Sequence, residues 1–421
     1  MLRSIVGALA CFVASVFGVA TGQTTYTDDQ CVGINAISPN CSTPEAAYSR
    51  DYFYIGGRYQ LNAALGQNIL VDQMYVEKLT PFGGAKKPYP IVLFTAGVPS
   101  GAAWLNTPDN RAGWASYFIK QHYQVYIVDQ TGMGRGSQNH LDAWPLKLST
   151  TDVITRNAYT APEILDPYPQ SQNHTQWPGN GTKGDPIFDA FMASFLPITT
   201  NLTIQELTMR TDGCALLNLI GPSFTICHSI GCTYPVLISD ECPDLVMGSV
   251  NLEPGNTPFQ SYVGNSTVLA VGRSSARPYG LTTTALNYVP AISNSTELGA
   301  VTVGNDTLAL RSCILQSSPA HQLPNIAKVP YALITGAASP HITYDHCMVD
   351  FLKQAGIEPD WIKLGDQGIE GNGHFLFLEK NNLEIAAVVH GWIRNQTIVE
   401  EKKMGWNRTM IKSSSALYPF I

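Results

Sequence analysis

Phe224-Thr-Ile-Cys-His-Ser-Ile-Gly-Cys232 runs from an apolar strand through Ser-x-Gly into the helical stretch Tyr234-Pro-Val-Leu-Ile-Ser239. Strand, tight turn and helix in that order form a nucleophile elbow, which holds the serine hydroxyl above a sheet beside a helix N-terminus. The two backbones approach closely there, so the positions two before and two after the serine must be small. Gly231 meets that need, and Cys227 stands where glycine is commoner. Ser229 is therefore the candidate nucleophile; the alternative is an ordinary serine in a strand-to-helix turn.

Working outward, short continuous apolar runs end in turn residues at Tyr89–Phe94, Gln124–Asp129, Ser223–Cys227, Gly248–Leu252, Val329–Ile334 and Asp360–Leu364. Such runs fit strands covered by helices on both faces of a parallel sheet. Two partly alternating stretches before them, from Asp51 and from Asn68, fit an antiparallel edge pair. Helical patterns lie between the runs, at Trp114–His122 and Thr343–Ala355. The expectation is an α/β fold with a mostly parallel, doubly wound sheet. Residues 140–205 and 256–325 break this rhythm with Pro, Asn, Gly and Thr, and both are expected to be cap insertions within one domain spanning 23–421. Gly132-Met-Gly-Arg-Gly136 lacks the full spacing of a dinucleotide loop and reads as a turn after a strand.

The second chemical signal is Gly371-Asn-Gly-His374, after the last strand and before the last helix. Glycines allow a loop to carry the imidazole back over the sheet to the serine, as a general base. Two carboxylates are candidates to orient it. Glu253 ends a strand at the edge where side chains meet a site. Asp345 follows the next strand, the commoner place for the acid, but it also suits the first turn of a helix as a plain anion.

The chain of 421 residues is 44% hydrophobic and 14% charged, with net charge −7 and no basic stripe, which argues against nucleic acid as a partner. Arg3, an apolar run from Ser4 to Ala20 and small residues at Ala20 and Gly22 read as a leader over 1–22, leaving no membrane insertion after its removal. Sequons at Asn40, Asn173, Asn180, Asn201, Asn265, Asn294, Asn305, Asn395 and Asn407 agree with export and glycosylation. Loss of Cys11 with the leader leaves an even cysteine count that suits disulfides. Proximity suggests Cys31–Cys41 and Cys232–Cys242, with Cys313–Cys347 and Cys214–Cys227 following. No residue group has zinc spacing, no cofactor is expected, and nothing sets an oligomeric state.

Gln73-Met-Tyr-Val-Glu-Lys-Leu-Thr-Pro, Trp104-Leu-Asn-Thr-Pro-Asp, Gly184-Asp-Pro-Ile-Phe-Asp, His228-Ser-x-Gly, Leu252-Glu-Pro and Gly371-Asn-Gly-His-Phe-Leu-Phe-Leu-Glu-Lys stand in one order. In these motifs the chain resembles the secreted esterase 713-like group of α/β-hydrolases, from about residue 50 to residue 395. The resemblance implies an α/β-hydrolase fold and a Ser229, Glu253 and His374 triad cleaving a small carboxylic ester or lactone. It also implies an oxyanion hole made by backbone N–H groups, by position Gly97 and Ile230. The chain departs from the group at Phe94-Thr-Ala-Gly-Val-Pro99, where a His-Gly-Gly loop is usual. Acyl transfer or cyclisation on the same triad, and a binding module that has lost its chemistry, are the alternatives.

Overall fold

The computed structural model describes residues 30–95, 97, 99–262 and 273–415, with side chains up to residue 403. The leader expected over 1–22, Asn265 and the side chain of Asn407 lie outside the described residues.

Eight strands form the central sheet: β1 (Tyr48–Asn62), β2 (Gln67–Pro81), β3 (Ile91–Phe94), β4 (Val125–Asp129), β5 (Ser223–His228), β6 (Val246–Leu252), β7 (Tyr331–Thr335) and β8 (Asp360–Lys363). Their spatial order is β1-β2-β4-β3-β5-β6-β7-β8. The β1–β2 and β2–β4 pairs are antiparallel, and the pairs from β4 through β8 are parallel. The sheet is thus mostly parallel with an antiparallel edge, as the run pattern predicts.

Both faces of the inner strands are covered, which is why those strands read as unbroken apolar runs. Ile91 and Leu93 pack on one face with Trp114 and Phe118 of α1 (Trp114–Lys120) and with Ile385, Val389 and Ile393 of the long C-terminal helix Asn382–Ser415. Val92 and Phe94 point the other way, as the two-residue period requires, towards Met209 and Leu216 of α2 (Leu202–Ile220) and Ile238 of α3 (Thr233–Glu241). Further along, Leu333 of β7 packs on Met348, Phe351 and Leu352 of α4 (Asp345–Gln354). The nineteen residues of α2 were not legible as a helix. Gln205, Glu206 and Asp212 are buried on it and interrupt its apolar stripe.

Asn201 caps α2 by accepting from the Ile204 N–H, and its own Nδ2 donates to Ala143 O at 3.1 Å. Its amide nitrogen is therefore engaged in the fold; Asn40, Asn173, Asn180, Asn294, Asn305 and Asn395 are exposed, with Asn294 Nδ2 donating to the nearby Glu297 at 3.0 Å.

Two disulfide expectations hold, Cys31–Cys41 and Cys313–Cys347, and two are corrected to Cys214–Cys242 and Cys227–Cys232. The reason is geometric. Cys232 and Cys242 flank α3, and ten residues at about 1.5 Å of rise lie roughly 15 Å apart, beyond any disulfide. The strand–turn–helix reversal instead brings Cys227 and Cys232 to a Cα separation of 5.0 Å across the serine. Packing of α2 on α3 brings Cys214 and Cys242 to 6.0 Å. Among the described residues, no helix is long and apolar enough to cross a membrane.

Candidate active site

The C-terminal ends of the parallel strands carry the site. In the β5–β6 ladder His228 pairs with Leu252, so Ser229 and Glu253 leave the sheet side by side. Both have left-handed backbones, φ +55° and +49°, an uncommon state for non-glycine residues that concentrates at functional turns. Ser229 opens the short turn Ser229–Cys232, which feeds directly into α3. A Cβ on residue 255 would sit 2.7 Å from the Ile230 nitrogen, so Gly255 keeps that amide clear. A Cβ on residue 97 would meet the Ile230 side chain at 2.4 Å, so the two expected oxyanion donors, Gly97 and Ile230, are neighbours. Two ties hold the unusual loop before Pro99: Thr95 donates its hydroxyl to Gln130 Oε1, and Pro99 bridges to Phe195.

His374 Nε2 lies 3.1 Å from Ser229 Oγ, and its Nδ1 lies 3.2 Å from Glu253 Oε2. Glu253 is fully buried and accepts from the Gly336 N–H at 2.6 Å and from the Ser339 hydroxyl. Burial drives its pKa well up and the nearby Asp345 adds to that, while the two donors oppose them. His374 is held well below the usual imidazole range by burial, then by His228 and His341. A neutral imidazole at ordinary pH is the form that can take a proton from a hydroxyl.

Asp345 does not reach His374. It begins α4 as expected, but it is buried rather than a plain surface anion. Its Oδ1 lies 2.8 Å from His341 Nδ1, and its Oδ2 accepts from Thr335 Oγ1 at 2.6 Å. His341 in turn stacks on the His374 ring at 5.0 Å and brings its Nε2 to 3.8 Å from Glu253. Sequence reasoning missed His341, although a histidine between the β7 turn and a helix was visible in Ser339-Pro-His341. In the sequence His228 stands only as the residue before Ser229 in the serine motif. Its Nε2 donates to the His374 carbonyl at 2.7 Å, tying the elbow to the histidine loop. That bond fixes the tautomer, and burial pulls the His228 pKa down to about 3.

Glu379 holds the same loop from behind. It is fully buried and accepts from the Gly373 N–H at 2.8 Å and Asn372 Nδ2 at 2.6 Å. His174, from the first irregular segment, bridges Glu379 at 3.1 Å and Glu163 at 2.9 Å. Burial lowers the His174 pKa, but the two carboxylates outweigh it and raise it from 6.5 to about 9. A proton held more tightly in the fold stabilises fully below pH 6.5, and that stability is lost as pH rises through about 9. The gap corresponds to on the order of 3 kcal/mol. Melting temperature should therefore fall across this alkaline window, and His174→Gln should flatten the fall; an unchanged slope in that variant would remove this role for His174.

Two cavities meet at Ser229. The larger, about 800 Å³, is walled by Gly97, Ile154, Tyr159, Leu202, Tyr234 and His374, so the first irregular segment supplies part of its wall. The smaller, about 190 Å³, is more polar and is lined by Ile230, Thr257, Ser261, Arg277, His341 and Tyr344. Among the described residues two groups have metal-ligand composition. In one, Cys313 and Cys347 are joined as a disulfide beside His346. In the other, Glu253, His341 and His374 have ligand atoms within 4.8 Å of one another, but both His374 nitrogens already face Ser229 and Glu253.

No family model matches the chain. A protein described as probable secreted lipase phiG, from a fungal species (strain ATCC 74256), is 38% identical over 349 residues, covering 82% of this chain and 89% of its own. A solved structure, described as the atomic resolution structure of a novel bacterial esterase, superposes with TM-score 0.55. It is 19% identical and covers 85% of this chain and 99% of its own, a likeness of fold.

Proposed function

The chain belongs to the α/β-hydrolase family of that fungal relative, and from this premise we propose that it is an exported serine hydrolase of carboxylic esters or lactones. The observation that carries the proposal is the hydrogen-bonded line from Ser229 Oγ through His374 to Glu253, with spacings of 3.1 and 3.2 Å. In the proposed cycle Ser229 attacks the carbonyl carbon while His374 Nε2 takes the hydroxyl proton. His374 then gives that proton to the leaving alcohol, and Glu253 stabilises the imidazolium formed between the two events. The Gly97 and Ile230 N–H groups receive the carbonyl oxygen as it gains charge. Water, activated by His374, cleaves the acyl-enzyme and restores Ser229. No cofactor takes part in this cycle.

Within the family we assign the chain to the esterase 713-like group, on Leu252-Glu-Pro and on Gly371-Asn-Gly-His. The relative's description as secreted supports export, as do the four disulfides and the exposed sequons. A fluorophosphonate probe tests the proposal directly. Stoichiometric labelling of a peptide containing Ser229, together with burst release of alcohol from an activated ester, is the expected result. An intact, folded protein that neither labels nor turns over would favour a binding module instead.

A further inference from the structure

Arg277 brings a guanidinium into the site, where the acceptors it bonds are backbone carbonyls. It is 9% exposed and lines both cavities that meet at Ser229. Its Nη1 donates to the carbonyls of Thr257 and Gln260, and its Nη2 donates to the carbonyl of Gly255. All three acceptors are neutral. They tie down the loop after Glu253, which any well-placed neutral donor could do. Among the described residues, no carboxylate lies within ion-pair distance of Arg277. Glu206 attracts it from further off, but its oxygens already accept from the Thr283 and Thr284 N–H groups and the Thr284 hydroxyl. The described lining of the small cavity holds this guanidinium and no Asp or Glu.

A buried guanidinium is costly unless an anion meets it, and planar, multidentate recognition of carboxylate is what this side chain does best. Arg277 is also held at φ +51°, a strained state for a non-glycine residue and one that gathers at ligand clamps. Burial lowers its pKa only to about 10, so the charge persists at neutral pH.

We propose that the ester substrate carries a carboxylate a few bonds from its scissile carbonyl, and that Arg277 binds this group in the small cavity beside Ser229. The inference rests on the proposed role of Ser229 and adds the substrate class. The volume of about 190 Å³ limits the acidic arm to a short chain. Thr257, Ser261 and Tyr344 line the same cavity. Arg277 is thus a specificity-determining residue, acting on binding more than on the chemical step.

The test compares each acid with an uncharged partner of the same shape. On the acyl side, p-nitrophenyl hydrogen glutarate is set against p-nitrophenyl 5-methylhexanoate. On the alcohol side, 4-acetoxybutanoate is set against 4-methylpentyl acetate. In the wild-type enzyme one acid should exceed its neutral partner by about tenfold or more in kcat/KM, as a charged hydrogen-bonding partner warrants, and the arm that responds locates the carboxylate. Arg277→Gln should erase most of that ratio through KM, and Arg277→Lys should keep part of it. If Arg277→Gln fails to fold, the wild-type ratio and competitive inhibition by free glutarate decide the matter. Equal or reversed preference in both arms, with Ser229 still labelled by fluorophosphonate, would overturn this inference alone. Absence of both labelling and turnover would instead overturn the hydrolase proposal beneath it.

Discussion

Ser229→Ala is expected to lower ester turnover by about 10⁵- to 10⁶-fold and to abolish fluorophosphonate labelling, with the protein still folded. The size of the loss follows from the cycle. Without the hydroxyl no acyl-enzyme forms, and only binding and the backbone donors remain to assist attack by water. Stability should change little, because the hydroxyl's partner is a single ring nitrogen, His374 Nε2 at 3.1 Å. One such bond contributes about 1 kcal/mol, and alanine keeps the left-handed backbone no better and no worse than serine. Melting temperature, turnover and labelling on the same preparation distinguish the outcomes. Turnover within tenfold of wild type, in a folded variant that no longer labels, would place the nucleophile elsewhere.

What the residues revealed in advance was the part that local rules govern. Ile91–Phe94 and Val125–Asp129 read as strands because both their faces are buried. Ser229 was legible because strand, tight turn and helix leave a pattern within nine residues. His374 was legible because the Gly-Asn-Gly before it needs a reason. The parts that stayed hidden depend on packing between distant segments. Nothing local to His341 shows that it will stack on His374, and nothing local to Arg277 shows that its charge faces a cavity. The disulfides illustrate both cases. Cys232–Cys242 conflicts with a local rule, since the helical run Tyr234–Ser239 between them holds the two cysteines apart. Cys214–Cys242 needed the packing of α2 on α3, and α2 itself was concealed by its buried polar residues.

The choice of acid gives the second large effect. Glu253→Gln should lower kcat by about 10⁴-fold with the fold retained. Its Oε1 can still accept from the Gly336 N–H, so the amide nitrogen is turned towards His374 Nδ1 and Ser339. An N–H there forces Nδ1 to act as the acceptor and puts the ring proton on Nε2. The imidazole then faces Ser229 with a donor and has no lone pair to take the hydroxyl proton. Asp345→Asn should act differently. It keeps an acceptor for Thr335 or His341, so the cost should be about 1–3 kcal/mol of stability and less than roughly tenfold in kcat. It should also shift the acid limb of the kcat/KM profile to lower pH. The sign is fixed because Asp345 raises the Glu253 pKa, and removing an anion lowers the pKa of a neighbouring carboxyl and of a neighbouring imidazole alike. The limb therefore moves the same way whether it reports the carboxyl or the imidazole. If Asp345→Asn instead abolished turnover while Glu253→Gln stayed active, the orienting charge would have to act through His341, and Glu253 would lose its proposed role.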